Sequence, residues 1–274
     1  MRPIRSYLIW FTQRVGSTML TQALEDTGVA GRPREWLNVA SVRELLARHD
    51  AATVHDLRDA LWREATTDNG IMGTKYGMTE ALHSELTALL AGLVPELPDP
   101  DGRHAWNALY PDCMHVFMTR RNKIRLAVSW WRAIKSGEWH RPSRRTRTVF
   151  DPASGPIDRR EPPSRADIAD LYDYHAIAHL LAEASLREAA MQERFDRWGV
   201  VPYTVVYEDL IAAYEPTMRA LLEFLQIPGR DAIELAAPAF ERLADEVSEA
   251  WVQRFHRELD TRLAEQARAP APPR

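Results

Sequence analysis

The strongest constraint on this chain is a continuously apolar strand that breaks into a glycine-containing loop and then runs into a helix. Tyr7-Leu8-Ile9-Trp10-Phe11 has no polar alternation, as befits a strand covered on both faces. It breaks at Thr12-Gln13-Arg14-Val15-Gly16-Ser17-Thr18. Met19, Leu20, Ala23 and Leu24 then recur at helical spacing until Gly28, a helix stop. The same unit recurs along the chain. Ile71-Met72-Gly73-Thr74-Lys75 precedes a helical pattern through Leu82, Leu86 and Leu89, and Met114-His115-Val116-Phe117-Met118 precedes one from about Asn122 to Ser136. Tyr203-Thr204-Val205-Val206-Tyr207 precedes one through Met218, Leu221, Leu222 and Leu225. Ser41-Val42-Arg43-Glu44 has the form of a capping box that opens a further helix, and Leu57 and Leu61 continue the pattern. Ile168 to Trp198 predicts one extended helix or a helical hairpin. Strands alternating with helices predict an α/β fold, a parallel sheet flanked by helices.

One domain over residues 1–266 and a flexible tail over 267–274 account for the chain, with no internal repeat. Residues 141–165 hold seven arginines and five prolines without apolar periodicity, which predicts a solvated loop or a mobile lid beside an anionic ligand. The 35 basic and 39 acidic residues give a net charge of -4, which argues against nucleic acid as a partner. Cys113 is the only cysteine, so no disulfide forms within the chain, and a reducing cytoplasm is expected. The apolar run near the N-terminus is too short for a signal peptide or a membrane span. No metal-ligand cluster stands out and no metal is expected; His175 and His179, four apart, suit helix packing better than zinc. Trp130, Trp131 and Trp139 either line a sugar-binding face or pack in the core.

The loop after the first strand has the chemistry of an anion cradle. A helix start offers unpaired N–H groups and the positive end of the helix dipole. Gly16 lets the backbone approach a ligand, Ser17 and Thr18 add hydroxyls, and Arg14 adds a fixed positive fork. The alternative is that Ser17 caps the helix and Arg14 is a surface charge. The Lys and first Gly of G-x-x-x-x-G-K-[ST] are missing, which disfavours ordinary nucleotide hydrolysis. A second constellation is Arg121-Asn122-Lys123-Ile124-Arg125-Leu126-Ala127-Val128-Ser129-Trp130. Arg121 at the strand end and Ser129 two helical turns on can grip one phosphate from two sides.

With these two motifs the sequence resembles the sulfotransferases that use 3′-phosphoadenosine 5′-phosphosulfate (PAPS). Gln13-Arg14-Val15-Gly16-Ser17-Thr18, Gly31-Arg32-Pro33-Arg34-Glu35-Trp36, Gly73-Thr74-Lys75, Ala127-Val128-Ser129-Trp130-Trp131-Arg132-Ala133 and Tyr207-Glu208-Asp209-Leu210 narrow the resemblance. They are similar to the bacterial trehalose 2-sulfotransferase family, in family order from residue 6 to about residue 226. Tyr76-Gly77-Met78 departs from the bulkier stretch expected after the lysine. The resemblance implies a P-loop-kinase-like sulfotransferase fold and an enzyme moving a sulfuryl group from PAPS to a hydroxyl. The acceptor it implies is a carbohydrate, glycolipid or other glycoconjugate, trehalose foremost, and it points to a homodimer.

By the same resemblance the loop from Gln13 through Arg14, Val15, Gly16 and Ser17 to Thr18 holds the 5′ phosphosulfate. Arg121 and Ser129 hold the 3′ phosphate, Glu35 is the general base, and Arg14 neutralises charge on the leaving phosphate. Lys75 either reaches the transferred group or stays a rim lysine, and Tyr207 either meets the adenine or packs in the core. Two other readings fit the cradle: a small-molecule kinase, which would need a lysine there and a magnesium-holding carboxylate, and a non-catalytic nucleotide-binding module, which would not need Glu35.

Overall fold

Four parallel strands lie in the order β2–β1–β3–β4, with β1 Arg5–Phe11, β2 Ile71–Tyr76, β3 Cys113–Thr119 and β4 Tyr203–Val206. The computed structural model describes residues 2–139, 168–238 and 245–268. β1 is paired on both sides, Ile9 facing Lys75 of β2 and Val116 of β3 in the register. That central place explains its unbroken apolar run. Tyr7, Ile9 and Phe11 join one buried cluster, while Leu8 and Trp10 join the other across the sheet.

The helices are α1 Ser17–Asp26, α2 Val42–Arg48, α3 Val54–Ala65, α4 Glu80–Leu90, α5 Arg103–Leu109, α6 Lys123–Ser136, α7 Tyr174–Trp198, α8 Tyr207–Ala212, α9 Tyr214–Phe224 and α10 Glu246–Arg268. Residues of α1, α6, α9 and α10 fill the cluster under Tyr7 and Ile9, and those of α2 to α5 fill the cluster around Trp10. Trp10 anchors the second side, with its ring 5.1 Å from Tyr76 and 5.2 Å from Phe195, each edge-on.

The run ending at Trp198 is one helix, but it begins only at Tyr174, where Asp173 caps it through the Ala176 N–H. Ile177, Leu180 and Ala184 lie in the first cluster; Met191, Phe195 and Trp198 lie in the second. α7 therefore passes from one face of the sheet to the other. Its middle turns meet the carboxyl ends of β1 and β3, where Arg187 touches Gln13 and Glu188 touches Thr119.

Three expectations change. The fourth strand stops at Val206, and Tyr207 opens α8, whose first turn carries Glu208 and Asp209. These acidic residues favour a helix start and end the strand one residue early. At Ser41 only half of the capping box forms: the Ser41 hydroxyl accepts from Glu44 N–H, but the Glu44 carboxylate turns to the Ala40 N–H. Ala267 and Arg268, expected in the tail, belong to α10. Segment 141–165 and residues 269–274 lie outside the described residues.

Candidate active site

Because the strands are parallel, the loops after all four of them open along one edge of the sheet, where ligands of α/β folds bind. The loop after β1 is shaped for an anion. Arg14 (φ 67) and Gly16 (φ 82) are both left-handed, the alternation that gathers backbone N–H groups into an anion-binding concavity. Gly16 is the N-cap of α1, no acidic residue sits in the first turn, and the Ser17 and Thr18 N–H groups have no intrahelical acceptor. Gly16 cannot be replaced freely, since a Cβ there would lie 2.6 Å from Cδ2 of the Tyr207 ring. Thr12 Oγ1, at the entry to this loop, is buried with no hydrogen-bond partner among the described residues. Backbone donors, two hydroxyls, an arginine and an orphaned buried hydroxyl fit a phosphate or sulfate group.

Arg14 is fixed rather than free. Its Nε donates to Ser129 Oγ at 3.0 Å and its Nη1 donates to the Trp139 carbonyl. Burial and then the neighbouring Arg120 lower its pKa to about 10, so the guanidinium sits where negative charge is wanted.

Glu35 reaches this cradle along an unusual route. The segment after Gly31 lies beside β2: Arg34 bridges Thr74, and Lys75 N–H donates to the Arg34 carbonyl at 3.0 Å. Entry needs two glycines. A Cβ on Gly31 would come within 2.6 Å of the Gly73 nitrogen, and one on Gly73 within 2.6 Å of the Tyr7 hydroxyl. The bidentate Arg34–Glu25 pair ties the same segment to α1. Glu35 then meets Lys75, with Oε1 2.6 Å from Nζ, while its Oε2 accepts from Asn38 Nδ2 at 2.5 Å. The Lys75 side chain is only 7% exposed. Its ammonium also donates to Thr18 Oγ1 at 3.1 Å and lies 4.6 Å from the centre of the Phe11 ring. One lysine therefore touches both the candidate base and the anion cradle.

The second constellation is assembled differently from the sequence pattern. The Arg121 guanidinium forms a two-pronged pair with Asp209 (3.0 and 2.5 Å) and is 59% exposed, while Ser129 is held by Arg14. Ser129 is thus tied to the cradle through Arg14, and it shares no hydrogen bond with Arg121. Glu208 accepts from the Arg121 and Asn122 N–H groups at 2.9 and 3.3 Å, so α8 caps the start of α6. Burial alone would raise the Glu208 pKa, but these N–H groups hold it below the usual carboxylate range. The hydrogen bond to Arg121 lowers the Asp209 pKa as well.

Arg120 and Glu208 pair beside the cradle; Arg120 stands in none of the motifs above, and Glu208 only within the Tyr207-Glu208-Asp209-Leu210 piece, where it had no assigned role. Arg120 is buried, stacks 4.6 Å over the Tyr207 ring and donates to the Arg14 carbonyl. Tyr207 lies between Arg120 and Gly16, at the cradle rather than in the core. On the α7 side, Gln13 accepts from Arg187, and Lys123 binds Glu188 at 2.7 Å. Trp130 is buried with Arg187 5.5 Å from its ring, and Trp131 donates to the Leu171 carbonyl, so both pack within the fold. Cys113 is half-buried, and burial raises its pKa to about 12, which makes it a poor nucleophile. Among the described residues no group of three His, Cys, Asp or Glu forms a metal-ligating cluster, and no helix is long and apolar enough to cross a membrane.

Comparison with known proteins gives this constellation a family. The Stf0 sulphotransferase model matches residues 6–258, and the chain belongs to that family of sulfotransferase enzymes. A trehalose 2-sulfotransferase from Mycobacterium tuberculosis is 28% identical over 285 residues, covering 94% of this chain and 96% of its own. A trehalose 2-sulfotransferase from Mycolicibacterium smegmatis is 27% identical, covering 92% and 95%. Among solved structures, a sulfotransferase from Alicyclobacillus acidocaldarius superposes with a TM-score of 0.44 at 12% identity, covering 99% of this chain and 98% of that one.

Proposed function

We propose that this enzyme transfers a sulfuryl group from PAPS to a hydroxyl of a carbohydrate or glycoconjugate, with trehalose the first acceptor to test. The observation that carries the reading is the Lys75 contact, which joins the Glu35 carboxylate (2.6 Å) to Thr18 (3.1 Å) at the start of α1. A base and an anion cradle in direct contact suit a reaction in which a hydroxyl attacks a group held on the cradle. The acceptor oxygen bonds to sulfur and its proton goes to Glu35. The sulfur–oxygen bond to the 5′ phosphate breaks, and the electron pair leaves on 3′-phosphoadenosine 5′-phosphate (PAP). As in loose phosphoryl transfer, positioning and charge do most of the work.

The chain's residues divide those tasks. Gln13, Val15 and Gly16 shape the loop; Ser17, Thr18 and Arg14 hold the 5′ group, and Arg14 offsets charge on the leaving phosphate. Arg121 and Ser129 hold the 3′ phosphate, Arg121 by exchanging Asp209 for it. Tyr207, already stacked under Arg120, offers its ring to the adenine. No resident metal is assigned a part, and cytoplasmic placement and a homodimer remain part of the proposal.

The test is calorimetric titration with PAP and ADP, followed by turnover of wild type and Glu35→Gln with PAPS and trehalose. Preference for PAP, and a Glu35→Gln loss of about 10²–10⁴-fold in turnover with PAP binding retained, support the reading. Equal binding of ADP, or full activity of Glu35→Gln, overturns the donor or the base respectively.

A further inference from the structure

Both carboxylate oxygens of Glu35 are engaged, Oε1 by Lys75 and Oε2 by Asn38. A carboxylate so occupied is a poor proton acceptor until one donor lets go. Asn38 is three residues away on the same turn, and its own N–H donates to the Glu35 carbonyl at 3.1 Å, which fixes it there. Lys75 is the partner with a choice. Its ammonium has three donors, a near-buried stem, and a second oxygen partner, Thr18, in the cradle itself.

We propose that Lys75 couples the two halves of the site: an anionic sulfuryl group at the start of α1 competes with Glu35 for this ammonium, and the Oε1 so released takes the acceptor's proton. The inference rests on the donor reading above. Lys75 supplies charge to the sulfuryl oxygens, while the only proton transferred is the acceptor's, to Glu35. The base is thus competent only when the donor is bound, which orders the reaction.

The competition is measurable without turnover. PAPS affinity is determined by calorimetry for wild type, Glu35→Gln, Lys75→Met and the double variant. If Glu35 competes for Lys75, Glu35→Gln tightens PAPS binding by about 5-fold or more, and in the Lys75→Met background the same change has an effect under about 2-fold. Equal effects in both backgrounds mean that only through-space charge is at work and overturn the coupling. An equal gain with PAP assigns Lys75 to the phosphate and overturns its contact with the sulfuryl group. Should Lys75→Met lose its fold by circular dichroism, Lys75→Gln, which still donates to Glu35 without a charge, replaces it in the cycle. PAPS binding no tighter than ADP in every protein overturns the donor reading and the coupling with it; PAPS binding with a flat cycle overturns the coupling alone.

Discussion

Gly16→Ala separates the backbone of the cradle from its packing. Gly16 sits at φ +82, and a Cβ there would be 2.6 Å from Cδ2 and 3.0 Å from Cε2 of Tyr207. The left-handed backbone costs an alanine roughly 1–2 kcal/mol. Displacing a packed ring adds about 1–3 kcal/mol. At a total of about 3 kcal/mol the melting temperature should fall by roughly 6–12 °C. Gly28→Ala is the matched control: its φ is +70 and nothing lies within 4 Å of the added Cβ, so only the backbone part applies. The difference between the two variants in scanning calorimetry therefore measures the collision with Tyr207. Combining Gly16→Ala with Tyr207→Ala should make the two losses less than additive, because the first clash has then lost its partner. The same displacement moves Tyr207 off Arg120, so PAP affinity should fall about 10-fold in Gly16→Ala and hold in Gly28→Ala. Equal melting temperatures and equal PAP affinities for the two alanine variants would refute the placement of the Tyr207 ring against Gly16 at the cradle.

Two further perturbations address the 3′ side and the core. Arg121→Ala should weaken PAP by about 10-fold and adenosine 5′-phosphate by less than about 2-fold in the same titration; equal losses show that Arg121 does not meet the 3′ phosphate. Burial and then a nearby arginine depress the pKa of His83 to about 3 and of His115 to about 4, so the unfolded chain binds protons between those values and about 6.5 while the folded chain does not. Stability should therefore be full above pH 6.5 and fall as pH drops toward 5, approaching about 1.4 kcal/mol per unit for each histidine, and between about pH 6 and 5, above the range of the carboxylates, His83→Phe should halve the slope of a denaturant titration series. An unchanged slope in that variant sinks the assignment.

The strands were legible because burial on both faces writes an unbroken apolar run, and β1 shows it in the Tyr7–Phe11 stretch. The boundary at Tyr207 was not, because an aromatic suits a strand end as well as a helix start, and only the contact with Gly16 and Arg120 decides. α5 and α10 bury narrow stripes, Trp106 and Leu109 in one, Trp251, Val252 and Phe255 in the other, which a single sequence does not distinguish from scattered apolar residues. α10 and Asp245 just before it are held to α6 by the Arg132–Asp245 and Arg125–Glu249 pairs, more than a hundred residues apart in the chain. The Arg120-Arg121 doublet reads as two equal charges, yet one is buried under the cradle and the other stands in solvent. Glu35 and Lys75 could be named separately from the sequence. Their contact depends on a single parallel bridge, Arg34 to Thr74, that no periodicity announces.

Three of the site's cations already have carboxylate partners: Lys75 has Glu35, Arg121 has Asp209, and Arg120 has Glu208 at 3.7 Å. These pairs hold the side chains near their working positions, so an incoming anion exchanges partners instead of ordering long side chains from solution. Exchange has a consequence for selectivity. Each anion gains only the difference between its own bond to the cation and the carboxylate bond it replaces. A single phosphate at the α1 cradle can make that exchange at one point. A ligand with a second anionic group can also take Arg121 from Asp209. Under the proposed function, discrimination of PAP from ADP comes from this second exchange. Asp209→Asn, which loosens Arg121's hold, should then tighten PAP while leaving adenosine 5′-phosphate unchanged in the same titration, and tightening of both ligands alike would show that Asp209 acts only as a general negative field.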